Sequence, residues 1–107
     1  MVYVGNILYD KMILETNKKL IIFGTGIYGR KIFDYLDLNG VRDNIICFCE
    51  SFVKSKNKDV AGIPILSVIE ACEKYPNADY LISGKYTKEM YQVLKDNLIS
   101  TIHVLTV

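Results

Sequence analysis

A glycine-rich stretch that directly follows a short apolar run constrains this chain more than any other feature. Residues 20–23 are Leu-Ile-Ile-Phe, with no polar residue among them. An unbroken apolar run of this length is typical of a strand buried on both faces of a parallel sheet. Gly24, Gly26 and Gly29 follow at once, and residues 27–39 then carry apolar side chains at helical spacing. The order strand, glycine turn, helix predicts the first unit of an α/β domain.

Strands and helices are predicted to alternate along the rest of the chain. The predicted strands are residues 20–23, 45–49, 62–65, 80–83 and 102–107. Ser67 and Glu70 have the spacing of a capping box at the start of one helix. Thr87 is predicted to cap the next helix, whose apolar stripe is Met90, Leu94 and Leu98. This alternation predicts a three-layer α/β fold with a mainly parallel sheet of about five strands, in the order 3-2-1-4-5.

The beginning of the chain does not follow this alternation. The apolar residues there are Ile7, Leu8, Met12 and Ile13, at a spacing that suggests an amphipathic helix. We therefore expect residues 1–18 to form an amino-terminal helical appendage, laid against the sheet or a partner. Residues 19–107 are expected to form the main α/β domain. The chain ends in an apolar strand without a polar tail, which favours a segment of a longer protein.

Composition and charge narrow the classes of partner. Half of the residues (50%) are hydrophobic, 23% are charged, and the net charge is +1. The weak electrostatic field of a chain with so small a net charge does not favour nucleic acid as a partner. The longest apolar run, residues 45–49, is far shorter than the ~20 residues that cross a bilayer. Asp10 and Lys11 interrupt the region where a signal peptide would need an apolar stretch, so we expect a cytoplasmic protein without a membrane span.

The glycine turn has the chemistry of a phosphate site. Gly24 permits a tight turn, Gly26 lets the backbone approach an anion, and Gly29 lets the helix pack closely on the strand. The first amides of the following helix then point at the anion, and the helix dipole favours its charge. The alternative is a purely structural turn that binds nothing. The predicted phosphate-binding residues are Gly24, Thr25, Gly26, Ile27, Tyr28 and Gly29.

Polar residues at the ends of two other strands extend this site. Glu50 follows the second predicted strand, where a carboxylate accepts hydrogen bonds from ribose hydroxyls and repels a 2′-phosphate, which favours NAD over NADP. Three lysines follow Glu50 in the sequence. If they face the ligand, they would neutralise a 2′-phosphate and so weaken the preference for NAD; the alternative is that they belong to a solvated loop. These lysines are Lys54, Lys56 and Lys58. The further predicted binding residues are Glu50, Ser51, Ser83, Gly84 and Lys85.

Neither a metal site nor a catalytic group is predicted. Cys47 and Cys49 lie two apart in a predicted strand, and we expect them to point to opposite faces, too far apart for a shared metal or a disulfide. Together with Cys72 they are expected to be reduced, buried thiols. The single histidine, His103, lies in the last predicted strand and is expected to be structural.

The pattern as a whole resembles a known group of domains. Residues 19–30 read Lys-Leu-Ile-Ile-Phe-Gly-Thr-Gly-Ile-Tyr-Gly-Arg, residues 47–50 read Cys-Phe-Cys-Glu and residues 62–65 read Gly-Ile-Pro-Ile. This pattern resembles the small Rossmann-type nucleotide-binding domains of bacterial polysaccharide-biosynthesis proteins. Such domains precede nucleotide-sugar dehydratases or form the amino-terminal part of sugar acyltransferases. NAD-sensing domains of redox-responsive repressors and CoA-binding domains are similar. Glu50 stands where an aspartate is commoner in these domains.

The resemblance implies a Rossmann-like fold and a small-molecule nucleotide ligand, either NAD(H) or a nucleotide-sugar. It implies a role in a larger bacterial polysaccharide or nucleotide-sugar pathway protein, with an attached catalytic domain or a homo-oligomer as the assembly. One alternative is a regulatory NAD-sensing or CoA-binding module without catalysis. Another is an assembly platform that acts through residues 1–17.

Overall fold

The structure is a computed structural model that describes residues 1–15, 17–51 and 59–107. Within these ranges it is an α/β protein with three α-helices and a mostly parallel sheet of seven strands. No helix in the described ranges is long and apolar enough to cross a membrane. Three lysines singled out in the sequence lie outside the described residues, namely Lys54, Lys56 and Lys58.

The elements alternate along the chain as strand and helix over most of its length. The strands are β1 (Val2–Asn6), β2 (Leu20–Phe23), β3 (Ile45–Glu50), β4 (Asp59–Val60), β5 (Ile63–Ser67), β6 (Asp79–Ile82) and β7 (Ile102–Thr106). The α-helices are α1 (Ile27–Leu38), α2 (Val68–Lys74) and α3 (Thr87–Asp96). Short 3-10 helices occupy Met12–Leu14 and Arg42–Asn44.

The sheet has the strand order β1-β7-β6-β2-β3-β5-β4. The predicted strand count of five and the predicted order 3-2-1-4-5 therefore do not describe the whole sheet. The difference arises at its edges in the described chain, where β1 pairs in parallel with β7 and β4 pairs antiparallel with β5. Between these edges run β7-β6-β2-β3-β5. The strand β2 lies in the middle, with β3 on one side and β6 on the other, so the direction of chain progression reverses beside it.

The beginning of the chain is a strand and not the predicted helix. The segment Val2–Asn6 pairs with β7 along its whole length. Its Val-Tyr-Val sequence consists of β-branched and aromatic residues, which fit a pleated, half-buried surface. The apolar residues that suggested a helix are buried through turns, since Ile7 and Ile13 pack into the core while Leu8 is 66% exposed. The domain boundary after residue 18 stays a prediction.

The core lies on both faces of the sheet. Because successive side chains of a strand point to opposite faces, the four buried residues of β2 supply both layers. On one face Ile22 packs with Leu36 of α1. On the other face Ile21 packs with Ala71 of α2 and Leu94 of α3. The predicted burial of β2 on both faces is therefore confirmed.

The starts of α2 and α3 were predicted with different success. The hydroxyl oxygen of Ser67 accepts a hydrogen bond from the Glu70 amide at 3.1 Å, which confirms Ser67 as the cap of α2. Thr87 is wrong as a cap, because it is the first residue of α3 and follows an N-cap residue, Tyr86, that makes no side-chain capping bond. Leu98 is also wrong as a stripe residue, since it lies beyond the end of α3 and is 87% exposed.

Candidate functional site

A cleft opens at the carboxyl ends of β2 and β6. Here the connection to α1 leaves toward one face of the sheet and the connection to α3 leaves toward the other. Parallel α/β sheets bind their ligands at such a reversal point. The cleft has a volume of about 140 Å³. Its lining residues are Phe23, Gly24, Gly26, Ile27, Tyr28, Gly29, Ser83, Gly84, Lys85, Tyr86 and Met90.

The fold brings most of the predicted binding residues to this cleft, which we call the phosphate cleft. The glycine turn and the Ser83–Gly84–Lys85 segment form its two sides. Thr25, Glu50 and Ser51 were predicted as well, but they do not line it. Thr25 is half-buried within the turn, Glu50 is half-buried at the end of β3, and Ser51 is exposed. Ligand binding by any of these residues stays a prediction.

The three glycines of the turn differ in what the fold requires of them. A Cβ on Gly29 would overlap the backbone of Gly24 and lie 2.8 Å from its carbonyl carbon. Gly24 itself has φ +112°, a conformation that side-chain-bearing residues rarely adopt. Gly26 has an ordinary φ of −80°, and a Cβ there would meet no atom within 4 Å. The fold therefore accounts for Gly24 and Gly29, and it leaves Gly26 unexplained.

Two helices begin at the phosphate cleft, and neither is capped by a side chain. The N-cap residue of α1 is Gly26, and the first bond of its ladder runs from the Arg30 amide to the Gly26 carbonyl at 3.0 Å. The amides of residues 27–29 precede that bond and have no partner within the helix. The N-cap residue of α3 is Tyr86, also without a side-chain capping bond. By contrast α2, which begins after β5, is capped by Ser67.

The electrostatics of the cleft favour an anion. Lys85, an exposed residue with a positive charge, is among the lining residues, and no carboxylate is among those described. The amino-terminal ends of helices carry a partial positive charge. Arg30, one turn into α1, donates from Nε to the Thr25 carbonyl at 3.2 Å and so holds the turn. The residues present therefore fit a phosphate group at the start of α1.

The turn is also fixed to the neighbouring strand. The Gly24 amide donates to the Cys49 carbonyl at 2.8 Å, which joins the start of the turn to the end of β3. Glu50 is the next residue after Cys49 and the last of β3. The carboxyl end of β3 therefore lies beside the turn, as the predicted contact with a ribose would require.

Tyr28 lies across the cleft against the opposite side. A Cβ on Gly84 would come within 2.9 Å of the Tyr28 Cδ2 atom, so the tyrosine ring rests directly on the backbone of Gly84. Gly84 has φ +111°, so both its conformation and this contact favour glycine. The sequence predicted Tyr28 as one of the phosphate-binding residues of the turn. Tyr28 as a residue is 39% exposed, and its ring bridges the two sides of the cleft.

Three lining residues were not predicted from the sequence. Phe23 immediately precedes the glycine turn and Tyr86 immediately follows Lys85, so adjacency to predicted residues could have suggested both. Met90 reaches the cleft because it lies one turn into α3, with its amide donating to the Tyr86 carbonyl at 2.9 Å. No signal in the sequence relates Met90 to Gly24, and only the packing of α3 brings them together.

The three cysteines form a buried group away from the cleft. The expectation that Cys47 and Cys49 point to opposite faces is wrong, because residues two apart in a strand share a face. Both pack with Cys72 in the core layer beneath α2 and α3. All three are free thiols, and burial raises the pKa of Cys47 to about 12. Since the thiolate is the reactive form, these thiols are poor nucleophiles.

A second polar cluster lies at the amino ends of the strands, opposite the cleft. His103 is fully buried, and its Nε2 donates to Asp79 Oδ2 at 2.9 Å. Lys18 Nζ donates to the same oxygen at 3.2 Å. Burial alone would lower the pKa of Lys18, but the hydrogen bond and charge of Asp79 raise it overall. Tyr3 of β1 stacks on the His103 ring with centroids 4.9 Å apart. We call Lys18, Asp79, His103 and Tyr3 the amino-end cluster.

Comparison of the chain with protein-family models, with curated proteins and with solved structures found no match in any of the three. In the described part of the chain, no group of three or more His, Cys, Asp or Glu side chains is placed to hold a metal ion. The functional argument therefore depends on the geometry of the phosphate cleft and on the sequence pattern of the glycine turn.

Proposed function

We propose that this chain is a three-layer Rossmann-like domain that binds the phosphate of a nucleotide on the start of α1. The proposed ligand is NAD(H) or a nucleotide-sugar, and the proposed context is a larger bacterial protein of polysaccharide or nucleotide-sugar biosynthesis. The observation that carries the proposal is the empty space at Gly26. Its φ of −80° is open to residues with side chains, and a Cβ there would meet no atom within 4 Å beyond its chain neighbours.

A bound phosphate accounts for this glycine. An anion that accepts from the amides of residues 27–29 must sit over the start of α1, in the space that a side chain at residue 26 would enter. A serine or aspartate at the N-cap would fill that space and bond the same amides. The chain does use a serine at the N-cap of α2, which begins away from the cleft.

The other residues of the cleft suit the remaining parts of a nucleotide. Lys85 offers a charge to the phosphate from the opposite side, and Ser83, 5% exposed at the end of β6, offers a hydroxyl. Glu50 is proposed to accept from the ribose hydroxyls, because the end of β3 is tied to the turn through the Gly24–Cys49 hydrogen bond. In this arrangement the domain holds and orients a nucleotide, and any chemistry is supplied by groups outside the described residues.

The test is to place a side chain at residue 26. Gly26→Val is expected to abolish binding of ADP, UDP-glucose and NAD⁺ in calorimetric titrations, because the valine methyl groups would occupy the position of the phosphate. The far-UV circular dichroism should stay that of the unaltered protein, and the melting temperature should fall only slightly, because a Cβ at residue 26 meets no atom within 4 Å but valine is a poorer N-cap than glycine.

A matched control puts a valine at the N-cap of α2, which begins outside the phosphate cleft. Ser67→Val changes the N-cap of α2 and should leave nucleotide affinity unaltered. If Gly26→Val binds all three nucleotides as tightly as the unaltered chain does, the turn has only a structural role and the proposal is wrong.

An assembly role is a second candidate, favoured by the free edge of β1. This strand pairs with β7 on one side only in the described sheet, and Val4 is 79% exposed along it. Leu8 and Tyr9, just beyond the strand, are 66% and 81% exposed. Exposed apolar edge strands are templates for pairing with another chain. Light scattering of the unaltered chain and of Val4→Lys tests this role, which predicts a dimer that the lysine dissociates.

A further inference from the structure

Two cavities meet at Tyr28. One is the phosphate cleft, at the ends of β2 and β6. The other, which we call the β7 cavity, has a volume of about 270 Å³ and is bounded by Thr87 and by residues 104–107 at the end of β7. Both cavities are lined by Tyr28 and by the segment Ser83–Gly84–Lys85. These shared residues form the partition between them.

The ring of Tyr28 is the part of the partition that crosses from one side to the other. It projects from the first turn of α1 and ends on Gly84, after β6. A Cβ on Gly84 would lie 2.9, 3.2 and 3.4 Å from three atoms of the tyrosine, Cδ2, Cγ and Cε2. Since even a single added carbon at Gly84 would be crowded by the ring, the ring lies directly against the backbone of Gly84 and closes the space between them.

A dinucleotide and a single nucleotide make different demands on this partition. A dinucleotide lies across the reversal point of the sheet, with its pyrophosphate at the helix start and one nucleoside on each side. With the pyrophosphate on the amides of residues 27–29, one nucleoside reaches toward the end of β3. The other must pass over β6 toward the β7 cavity, through the space that the Tyr28 ring occupies. A ligand with one nucleoside needs only the first of these halves.

We infer that Tyr28 is a specificity residue that restricts the site to phosphate ligands with a single nucleoside, such as a nucleoside diphosphate or a nucleotide-sugar, and excludes dinucleotides. The inference rests on the proposed function, because it assumes that a phosphate binds at the start of α1. Of the two ligand classes proposed above, it selects the nucleotide-sugar class over NAD(H). Gly84 has a supporting role, since its missing side chain lets the ring close the partition.

The test compares one-nucleoside and two-nucleoside ligands on the whole chain by calorimetry. The unaltered protein is expected to bind the better of ADP and UDP-glucose at least about tenfold more tightly than NAD⁺, a difference of about 1.4 kcal/mol. Tyr28→Ala opens the partition and should reduce this preference to about threefold or less, by strengthening the binding of NAD⁺. Tyr28→Phe retains the ring and should keep the full preference.

Two further variants serve as controls, one for a loss of stability and one for a change at an unrelated tyrosine. Tyr28→Leu removes the ring while keeping apolar contact, and it replaces the alanine variant if that protein melts at a clearly lower temperature. Tyr9→Ala removes a tyrosine that lines neither cavity and is 81% exposed, so its ligand preference should not change.

The outcomes separate this inference from the proposed function. If the unaltered protein binds NAD⁺ as tightly as ADP or UDP-glucose, or if the preference survives in Tyr28→Ala and Tyr28→Leu, the inference is overturned and phosphate binding stands. If neither the unaltered chain nor any variant binds a nucleotide, both the inference and the proposed function are overturned.

Discussion

The two ends of the central strands deal with their polar groups in opposite ways. At the amino ends, Asp79 accepts hydrogen bonds from both Lys18 and His103, and the cluster is covered by Tyr3. At the carboxyl ends, the first amides of α1 precede the hydrogen-bond ladder of the helix and receive no side-chain cap. At the amino ends the chain supplies Asp79 with two donors of its own, although His103 Nδ1 is buried without a partner among the described residues, whereas at the carboxyl ends it leaves the first amides of α1 uncapped. At the carboxyl ends, which we call the open end, a ligand can therefore supply the hydrogen-bond acceptors that the fold does not provide for the first amides of α1.

The energetics explain why the open end is tolerable. A buried polar group without a partner costs about 1–3 kcal/mol, so the fully buried His103 needs its carboxylate. The start of α1 is exposed at Gly26 and Ile27, where water can solvate the free amides until a ligand replaces it. Substitutions at the amino-end cluster should therefore change stability, whereas substitutions at the open helix start should change affinity.

Substitutions at Gly29 and Gly26 should show that the two glycines of the turn have different roles, Gly29 in stability and Gly26 in binding. Gly29→Ala is expected to lower the free energy of unfolding by about 3 kcal/mol, because the new methyl group overlaps the backbone of Gly24. Urea denaturation measures this loss. Gly26→Ala is the matched control, and its loss should stay within about 1 kcal/mol, the cost of alanine at an N-cap without any overlap. Equal stability losses at the two positions would contradict the distinction between these glycines.

A substitution in the amino-end cluster should lower stability without changing nucleotide affinity. Asp79→Ala is expected to cost about 2 kcal/mol of stability, because it leaves the buried His103 ring without its acceptor. Nucleotide affinity should not change, since the cluster lies at the far end of the strands. Asp37→Ala, on the exposed face of α1, serves as control and should be close to neutral. A weakened titration with ADP or UDP-glucose in folded Asp79→Ala would break the comparison.

Removing the cap of α2, which also lies at the carboxyl ends of the strands, should have a smaller effect on stability. Ser67→Ala removes the hydrogen bond to the Glu70 amide and should lower the free energy of unfolding by about 1 kcal/mol. Because α2 starts outside the cleft, affinity should be unchanged. Denaturation and titration of the same sample check both parts, and a loss of affinity would mean that the capped helix start also takes part in binding.

The smallest stability change should accompany a loss of binding. Gly26→Ser gives α1 the kind of cap that α2 already has, and stability should change by only about 0.3 kcal/mol. The serine oxygen would then accept from an amide that the phosphate is proposed to use, so nucleotide affinity should fall. Melting curves and calorimetry on Gly26→Ser and the unaltered chain measure the two effects. Unaltered affinity with a capped α1 would show that the open helix start is not the binding feature.

Local patterns were sufficient for several elements and for one side of the cleft. The apolar run of β2, the glycine turn and α1 follow one another within 19 residues, from Leu20 to Leu38, so their neighbours in space are largely their neighbours in sequence. The cap at Ser67 is local for the same reason. The segment Ser83–Gly84–Lys85 was placed beside the turn only through the general rule that parallel strands end at one edge.

Other features depend on contacts that no local pattern encodes. The spacing of apolar residues near the start of the chain suits a helix, yet pairing with β7, about a hundred residues further along, makes Val2–Asn6 a strand. The contact between His103 and Asp79 joins residues 24 positions apart on two strands. Glu50 was predicted beside the turn, but the orientation of its side chain depends on the end of β3 and it does not line the cleft.

The sequence by itself determined an α/β chain with a buried central strand, a glycine turn opening a helix and a capped second helix, because hydrophobic periodicity and capping act over a few residues. The tertiary structure alone decided that β1 and β4 extend the sheet, that Cys72 packs in the same layer as Cys47 and Cys49, and that the Tyr28 ring rests on Gly84. These outcomes depend on strand pairing and on packing between distant segments. Their energies arise only when the whole chain has folded, so spacing along the sequence carries no record of them.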